Sequence, residues 1–586
     1  MFLCVPVCFC PCRCPCVLPS THVDARYSSV TGGQFNQISR NVTIAPTHSV
    51  VCGGKSNTIV GPSFSSIGGG RNNVVRFAPA GSGTGAATPI GTHVGGGYDN
   101  TVYGDAALIA GGRDNRAEGS HATVGGGRDN DASGTASFVG GGVNNRARGY
   151  GAAVGGGAQN VANGAYAAVA TGYDNSGAAS YSIVAGGRGN TAAGVTAFVG
   201  GGFLSTAAGA YSGIAGGYNN FIPAQGSHAF VGSGVNNTVK GSYSVVAGGH
   251  TNTVTGGTAS AVVSGRGNSV VGCNYAVVSG GYTNVVAAFF AVVAGGNTNS
   301  ATGGHSAIGG GQQNFASDEH TAVGGGYQNI ADDTFATVAG GHENEALETA
   351  SFIGGGESNT AYSKYGTIGG GTDNTAGASS GGGSTDGATV GGGVGNVATK
   401  KFSVIAGGKE NAASSEGASI LGGRGNIADD DYSSISGGRD NTAKGEYSVI
   451  GGGSGNIARG DFSIVSSGKD AIADADYSCI VGGYRHTATG EYSFVGGGSD
   501  NIVSADFAVV SGGEDNFADG DFASIAGGHN NSAIGEESFV GGGAGNTAGA
   551  SFAIVSGGDS NVAQNECVTF LPLAVAQSCL RLRAHM

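Results

Sequence analysis

The chain has 586 residues, of which 120 are glycine and none is tryptophan, and its formal net charge is −14. Charged residues make up only 11% of the chain, and β-branched and aromatic residues recur at fixed places, which argues against a disordered chain. We expect no membrane span, because no run of roughly 18 apolar residues occurs. We expect no direct binding to nucleic acid, because the chain has no basic stripe.

Residues 1–26 form a cysteine- and proline-rich segment with cysteines at 4, 8, 10, 12, 14 and 16. A secretory signal would carry early basic charge and then an uninterrupted apolar run, whereas Arg13 and several prolines interrupt this one. An atypical signal ending near residue 25, an unstructured start, and a metal-binding or acylated cysteine cluster all remain open. Alternating Cys-x-Cys does not match the paired spacing of structural zinc sites.

A repeat of 15 residues then extends over residues 27–561. The asparagine of a Gly-Gly-x-x-Asn phrase falls at 100, 115, 130, 145, 160, 175 and 190, and the same step continues later in about 34 copies. We number each repeat from this asparagine, which is position 1. Ser205, Ala471 and His486 occupy position 1 without breaking the register.

The repeat predicts one coil of an all-β fold, a parallel β-solenoid. Positions 7 to 11 alternate with period 2, which is typical of a strand. Glycine at position 5 is expected at a corner with positive φ, and the Gly-Gly pair at positions 12 and 13 makes a second corner. Fifteen residues are too few for a helical repeat with its own turn. One coil buries too little to be stable alone, so the coils must stack.

Three positions are expected to share a narrow interior: Val or Ile at position 10, Ser or Ala at position 8, and Ala at position 3. The asparagines of position 1 are expected to turn inward at a corner and to bond to one another and to turn backbone along the axis. This structural asparagine column includes Asn115, Asn130, Asn145, Asn441, Asn456 and Asn501.

The phrase Ala443–Asn456 resembles the head repeat of trimeric autotransporter adhesins, the YadA-like head. Ala443, Gly445, Ser448, Ile450 and Gly452 match its skeleton in order, and this chain has one residue more in the corner after Gly452. The resemblance implies a left-handed parallel β-roll, association of three chains, and binding to host matrix or other cells. The coiled-coil stalk and membrane anchor of those adhesins are not expected in the tail, residues 562–586.

Position 9 is expected to point outward and to form an apolar stripe, bordered by the position-7 aromatics. A monomer should not expose a stripe of this length, so we expect it to be an interface between copies of the chain. The stripe includes Phe138, Phe198, Val245, Val277, Val292, Phe352, Val404, Ile464, Phe494 and Phe539.

Insertions at 74–94, 222–227 and 376–388 are expected to leave the coils at corners. Residues 401–586 hold 22 acidic and 10 basic residues, a balance of −12, with many acids at corner positions. These are interpreted as a solvated rim, and they include Asp429, Asp430, Asp431, Glu446, Asp461, Asp506 and Asp521.

No catalytic, cofactor-binding or metal-binding residues are identified. The period is wrong for calcium-binding β-rolls, no phosphate-binding loop occurs, and the histidines, such as His250, His342 and His529, occupy a variable position. The sequence therefore favours a non-enzymatic surface or fibre protein, at a cell surface, secreted or on a virion. A purely structural fibre, coat or spacer component is the alternative, and an ice-binding solenoid is disfavoured because threonines are sporadic.

Overall fold

The computed structural model describes residues 21–40, 46–76, 91–379 and 385–565, together with the backbone of 569–570. The N-terminal cysteine cluster, most of the 74–94 insertion, the centre of the 376–388 insertion and the end of the tail lie outside these residues.

Strands and turns make up the whole of the described chain, which contains no helix. The chain divides into two compact units, Met1–Gly281 and Tyr282–Met586. Each unit is a parallel β-solenoid with two ladders of short strands, in agreement with the predicted fold class. The first ladder is built from positions 2 and 3 of the repeat, and the second from positions 9 and 10.

The first unit has 16 strands in each ladder. Its first ladder consists of His22–Val23, Gln37–Ser39, Thr58–Val60, Val74–Arg76, Thr101–Val102, two-residue strands at every fifteenth residue from Arg116–Ala117 to Phe221–Ile222, and Thr238–Val239, Thr253–Val254 and Ser269–Val270. Its second ladder consists of Ser29–Val30, Val50–Val51, Ser66–Ile67, strands at every fifteenth residue from His93–Val94 to Gly213–Ile214, and Phe230–Val231, Val245–Val246, Ala261–Val262 and Val277–Val278.

The second unit has 19 strands in each ladder, all of two residues. In its first ladder they start at every fifteenth residue from Val285–Val286 to Thr375–Ala376 and again from Val397–Ala398 to Val562–Ala563. In its second ladder they run likewise from Val292–Val293 to Thr367–Ile368 and from Thr389–Val390 to Thr569–Phe570. Paired strands therefore occur on both sides of the predicted limits at residues 27 and 561.

Each strand pairs in parallel with the equivalent strand of the next coil, so equal positions of the repeat lie side by side. Ala443 pairs with Ala458 in the first ladder, and Ile450 pairs with Val465 in the second. A column of equal positions therefore forms one continuous feature of the surface or of the core.

The core consists of the three columns that the sequence predicts. Ala443 at position 3, Ser448 at position 8 and Ile450 at position 10 are all 0% exposed. The same burial recurs along both units, and position 10 is a buried Val or Ile in every strand from Val51 to Val555. The inward assignment of these positions is confirmed.

The corners differ from the prediction at position 5. Gly445 does not have a positive φ; instead a Cβ there would lie 2.0 Å from the carbonyl oxygen of Gly460 in the next coil. Glycine is needed at this corner because neighbouring coils approach closely, so the predicted dihedral reason was wrong. The left-handed residues are at positions 7, 13 and 15, for example Tyr447 with φ 56°, Gly453 with φ 97° and Asp440 with φ 54°. Position 7 therefore lies in a turn, and the second strand covers only positions 9 and 10.

The insertion at 222–227 is a compact turn within a corner. Gly226 donates its backbone N–H to the carbonyl of Pro223 at 2.9 Å, and Phe221 and Phe230 on either side keep their ladder pairings. Both ladders continue past the extra residues, as expected for a loop at a corner, although on the side of the next coil only Phe221 of its strand keeps a partner, Thr238.

Candidate interaction surfaces

The position-9 column points away from the core in both units, because it alternates with the buried position 10 on each second-ladder strand. Among the residues of the predicted stripe, Phe138 is 44% exposed, Phe198 41% and Phe352 41%. The remaining members are exposed or half-buried: Val245, Val277, Val292, Val404, Ile464, Phe494 and Phe539.

The column differs in composition between the two units. In the first unit, ten successive second-ladder strands from Phe138 to Val277 carry only Phe, Ile, Val, Ala or Gly at position 9. In the second unit, hydroxyl side chains interrupt the column repeatedly, as at Thr367, Ser434 and Ser524. The longest apolar run within one unit is therefore in the first unit, whereas the longest in the second unit covers five strands, from Val449 to Val509.

The glycines of position 11 lie beside the phenylalanines of position 9. The next coil requires glycine there, because a Cβ on Gly140 would lie 2.3 Å from the carbonyl oxygen of Gly155. A Cβ on Gly140 would lie 3.4 Å from Cε1 of Phe138, and one on Gly200 would lie 3.3 Å from Cε1 of Phe198. Each ring therefore covers the glycine two residues after it, which produces a broad, shallow apolar surface with little relief.

The position-7 aromatics stack on one another along the axis. The longest described stack has seven rings with centroids 4.6–5.1 Å apart and planes within 13° of parallel. Its members are Tyr432, Tyr447, Phe462, Tyr477, Tyr492, Phe507 and Phe522. A left-handed backbone costs a bulky residue about 1–2 kcal/mol, and stacking with two neighbours, at about 0.5–1.5 kcal/mol per pair, offsets this cost.

The asparagine column is buried and fully hydrogen-bonded. Asn441 donates from Nδ2 to the carbonyls of Gly437 and Gly453 at 3.0 and 3.1 Å and lies 3.1 Å from Oδ1 of Asn426, while its own Oδ1 accepts the backbone N–H of Asn456 at 3.0 Å. Asn115, Asn130, Asn145 and Asn501 make the corresponding bonds to glycine carbonyls. This side chain links three coils, so no part of the amide is left to act on a ligand.

Two successive coils lack this asparagine. Ala471 has no side-chain amide. His486 accepts the backbone N–H of Asn501 at its Nδ1, at 3.2 Å. The buried Nε2 of His486 has no hydrogen-bond partner within the described chain. Burial lowers the pKa of the His486 imidazole below its usual value. The sequence identifies the substitution, but only the burial shows that an ionisable group has entered the core.

In the described ranges, one group of three side chains could hold a metal ion. It consists of Glu514, Asp515 and His529, which are all exposed, and their carboxylate oxygens and ring nitrogen lie within 4.8 Å of one another. The three residues belong to adjacent coils, at positions 14 and 15. Reading the chain residue by residue misses this group because the stacking of coils, and not the local sequence, brings them together.

The chain matches no protein-family model and no curated protein. A search of the described residues for a helix that is long and apolar enough to cross a membrane also finds none.

Proposed function

We propose that the chain is a non-enzymatic surface or fibre protein whose copies associate through the position-9 column and display their remaining faces for adhesion or recognition. The observation that carries this proposal is the apolar column of ten successive coils from Phe138 to Val277. Monomeric proteins rarely expose a contiguous apolar surface of this extent.

Association of three copies, as the resemblance to YadA-like heads implies, is the assembly we favour. A closed symmetric assembly covers the column completely, whereas an open arrangement would continue into filaments. The faces that remain outside would then meet a host surface or matrix ligand. The proposal involves neither a cofactor nor a membrane span.

A purely structural fibre, coat or spacer component is the second candidate. The same 15-residue register is kept along both units with little variation in the core columns, and a spacer needs that regularity without any ligand. Binding to immobilised matrix proteins distinguishes the two, because a spacer assembles without such binding.

The oligomeric state tests the proposal directly. Phe230 belongs to the position-9 column, Phe221 lies on the opposite ladder at position 2, and each is 41% exposed. Phe230→Glu should convert the assembly to monomers while the circular dichroism of β-structure is kept, and Phe221→Glu should leave the assembly intact. Sedimentation equilibrium measures both.

The double change Phe494→Glu and Phe539→Glu should also dissociate the assembly, but to a smaller extent. The reason is that hydroxyl side chains already interrupt the column in the second unit. A wild-type protein that sediments as a monomer, or equal effects of the two changes at Phe230 and Phe221, would contradict the proposal.

A further inference from the structure

The second unit carries a second continuous surface beside its stack of rings. Every coil from residue 416 to residue 536 has an acidic side chain at position 6, and from Tyr432 to Phe522 the residue that follows it is a ring of the stack. These acids are Glu416, Asp431, Glu446, Asp461, Asp476, Glu491, Asp506, Asp521 and Glu536. We call them, together with the seven stacked rings from Tyr432 to Phe522, the acid–ring surface.

Backbone hydrogen bonds hold the aspartate carboxylates of this row in line. Oδ1 of Asp461 accepts the backbone N–H of Glu446 at 2.9 Å, and Oδ1 of Asp476 accepts that of Asp461 at 2.8 Å. The same bond joins Asp506 to the backbone of Glu491 at 2.8 Å. Because each bond uses only Oδ1, these carboxylates are fixed in direction and keep a second oxygen for another partner.

The charges of this row are not compensated by the protein. Lys401 pairs with Glu416 at the start of the row, at 3.3 Å, but from Asp431 to Glu536 no position-6 carboxylate forms an ion pair with any described residue. Acids at other positions of the same coils do: Asp474 pairs with Arg459 at 2.9 Å, and Asp500 pairs with Arg485 at 2.7 Å. Like charges stacked in neighbouring coils repel one another, so this surface is complementary to a row of cations.

The rings define the shape of what binds. Their faces lie against one another, so a sugar ring has no aromatic face to stack on within the row. Their edges remain open to solvent, with Tyr477 45% and Tyr492 46% exposed. An aliphatic chain can lie along ring edges of this kind. The side chains of Lys and Arg have an aliphatic stem that ends in a charged group, so they can contact the rings and the carboxylates together.

We infer that the acid–ring surface binds an extended basic polypeptide segment, whose Arg or Lys stems lie along the ring edges and whose charged heads reach the carboxylates of position 6. Arginine fits best, because its planar guanidinium donates two hydrogen bonds to one carboxylate. This names the partner class for a face left open in the proposed function, and it requires only that this face stays exposed in the assembly.

A fluorescently labelled peptide of consecutive arginines is the probe, and fluorescence anisotropy with the full-length protein is the measurement. The acid variant combines Asp461→Asn, Asp476→Asn, Glu491→Gln and Asp506→Asn, and each new asparagine keeps an acceptor oxygen for the backbone bond of the aspartate that it replaces. The matched control combines the Asp→Asn changes at position 15 of the same unit, at residues 440, 470, 500 and 515. It changes the net charge by the same amount, and asparagine tolerates the left-handed φ of these residues, which is 54–56°.

The acid variant should weaken binding by roughly tenfold or more at low salt, and the control by less than about threefold, because only the first set faces the peptide. Raising the salt concentration should weaken binding to the wild type and should have less effect on the acid variant.

The contribution of the rings has its own variant. Tyr477→Asn with Tyr492→Asn keeps residues that accept a positive φ but removes two ring edges. It should weaken arginine-peptide binding by a few-fold and leave the salt dependence unchanged. If binding were purely ionic, removing uncharged rings would not weaken it.

Equal losses in the acid variant and the control would overturn the inference, since net charge alone would then explain binding. Absence of binding to the wild type, or displacement of the peptide by millimolar calcium alone at constant ionic strength, would also overturn it. Sedimentation of each variant separates these outcomes from failure of the proposed assembly, which the changes at Phe230 test independently.

Discussion

Replacing Asn441 by alanine tests how much of the stability between coils comes from the buried asparagine column. The change removes two bonds to glycine carbonyls, the contact with Asn426, and the acceptor for the backbone N–H of Asn456. At about 1 kcal/mol for each hydrogen bond, and more for a buried group left without a partner, the loss is about 3–5 kcal/mol.

The loss should be local, because each coil of a solenoid contacts only its neighbours. Hydrogen exchange of backbone amides should speed up in the coils around residues 426–470, by roughly a hundredfold to a few thousandfold. Amides in distant coils of the same unit should keep their protection. Thr442→Ala, at the adjacent outward position, is the control and should change exchange by less than about threefold.

Exchange that is unchanged in Asn441→Ala, or that rises evenly through the whole unit, would refute this reasoning. The first outcome would mean that the bonds are replaced at no cost. The second would mean that the unit unfolds as a single cooperative body and not coil by coil.

Three further changes test the core, the corner and the ionisable group. Val495→Asp places an unpaired carboxylate in a fully buried position and should cost several kcal/mol, seen as local proteolysis around that coil. Gly445→Ala should destabilise strongly, because its Cβ would meet the next coil at 2.0 Å, whereas Gly452→Ala has no atom within 4 Å and should be nearly neutral in thermal unfolding. His486 has a lowered pKa, so the folded coil favours the neutral imidazole, and the stability of this coil should fall as the pH drops below about 6.5. His486→Asn should abolish this extra acid sensitivity, measured by hydrogen exchange of the amides in that coil. An unchanged pH profile would contradict the reasoning.

The sequence predicts the core of each coil well because a strict period of 15 places equivalent residues in one column. Position 10 and position 3 could be assigned as buried from composition alone, since both are small or β-branched at almost every repeat. The sequence also identifies the outward stripe, but Thr367 and Ser434 show that a column must be followed coil by coil before its apolar length is known.

The corners are the part that local sequence rules misjudge. Glycine usually signals a positive φ, yet at Gly445 the cause is the close approach of the next coil, which no single repeat contains. Conversely, an aromatic residue is not expected in a left-handed turn, yet Tyr447 adopts one. Position 7 has the same φ where it carries no ring, as at Ala136 and Thr196, so the shape of the coil imposes this conformation and ring stacking offsets its cost. The line of carboxylates at position 6 likewise depends on backbone groups of a neighbouring coil, so its geometry follows only from the stacked structure.

The matched columns have a consequence for how such a chain changes in evolution. Removing one whole repeat from a regular stretch brings together two coils whose asparagine, glycine and valine positions still coincide, so the ladder pairings and the core columns re-form with a new neighbour. Duplication of a repeat is tolerated for the same reason. Gains or losses of other lengths would misalign all columns at once, and they survive only where a corner absorbs them, as it does between Phe221 and Phe230. The protein can therefore lengthen or shorten by genetic recombination between its own repeats while each surviving coil keeps its fold.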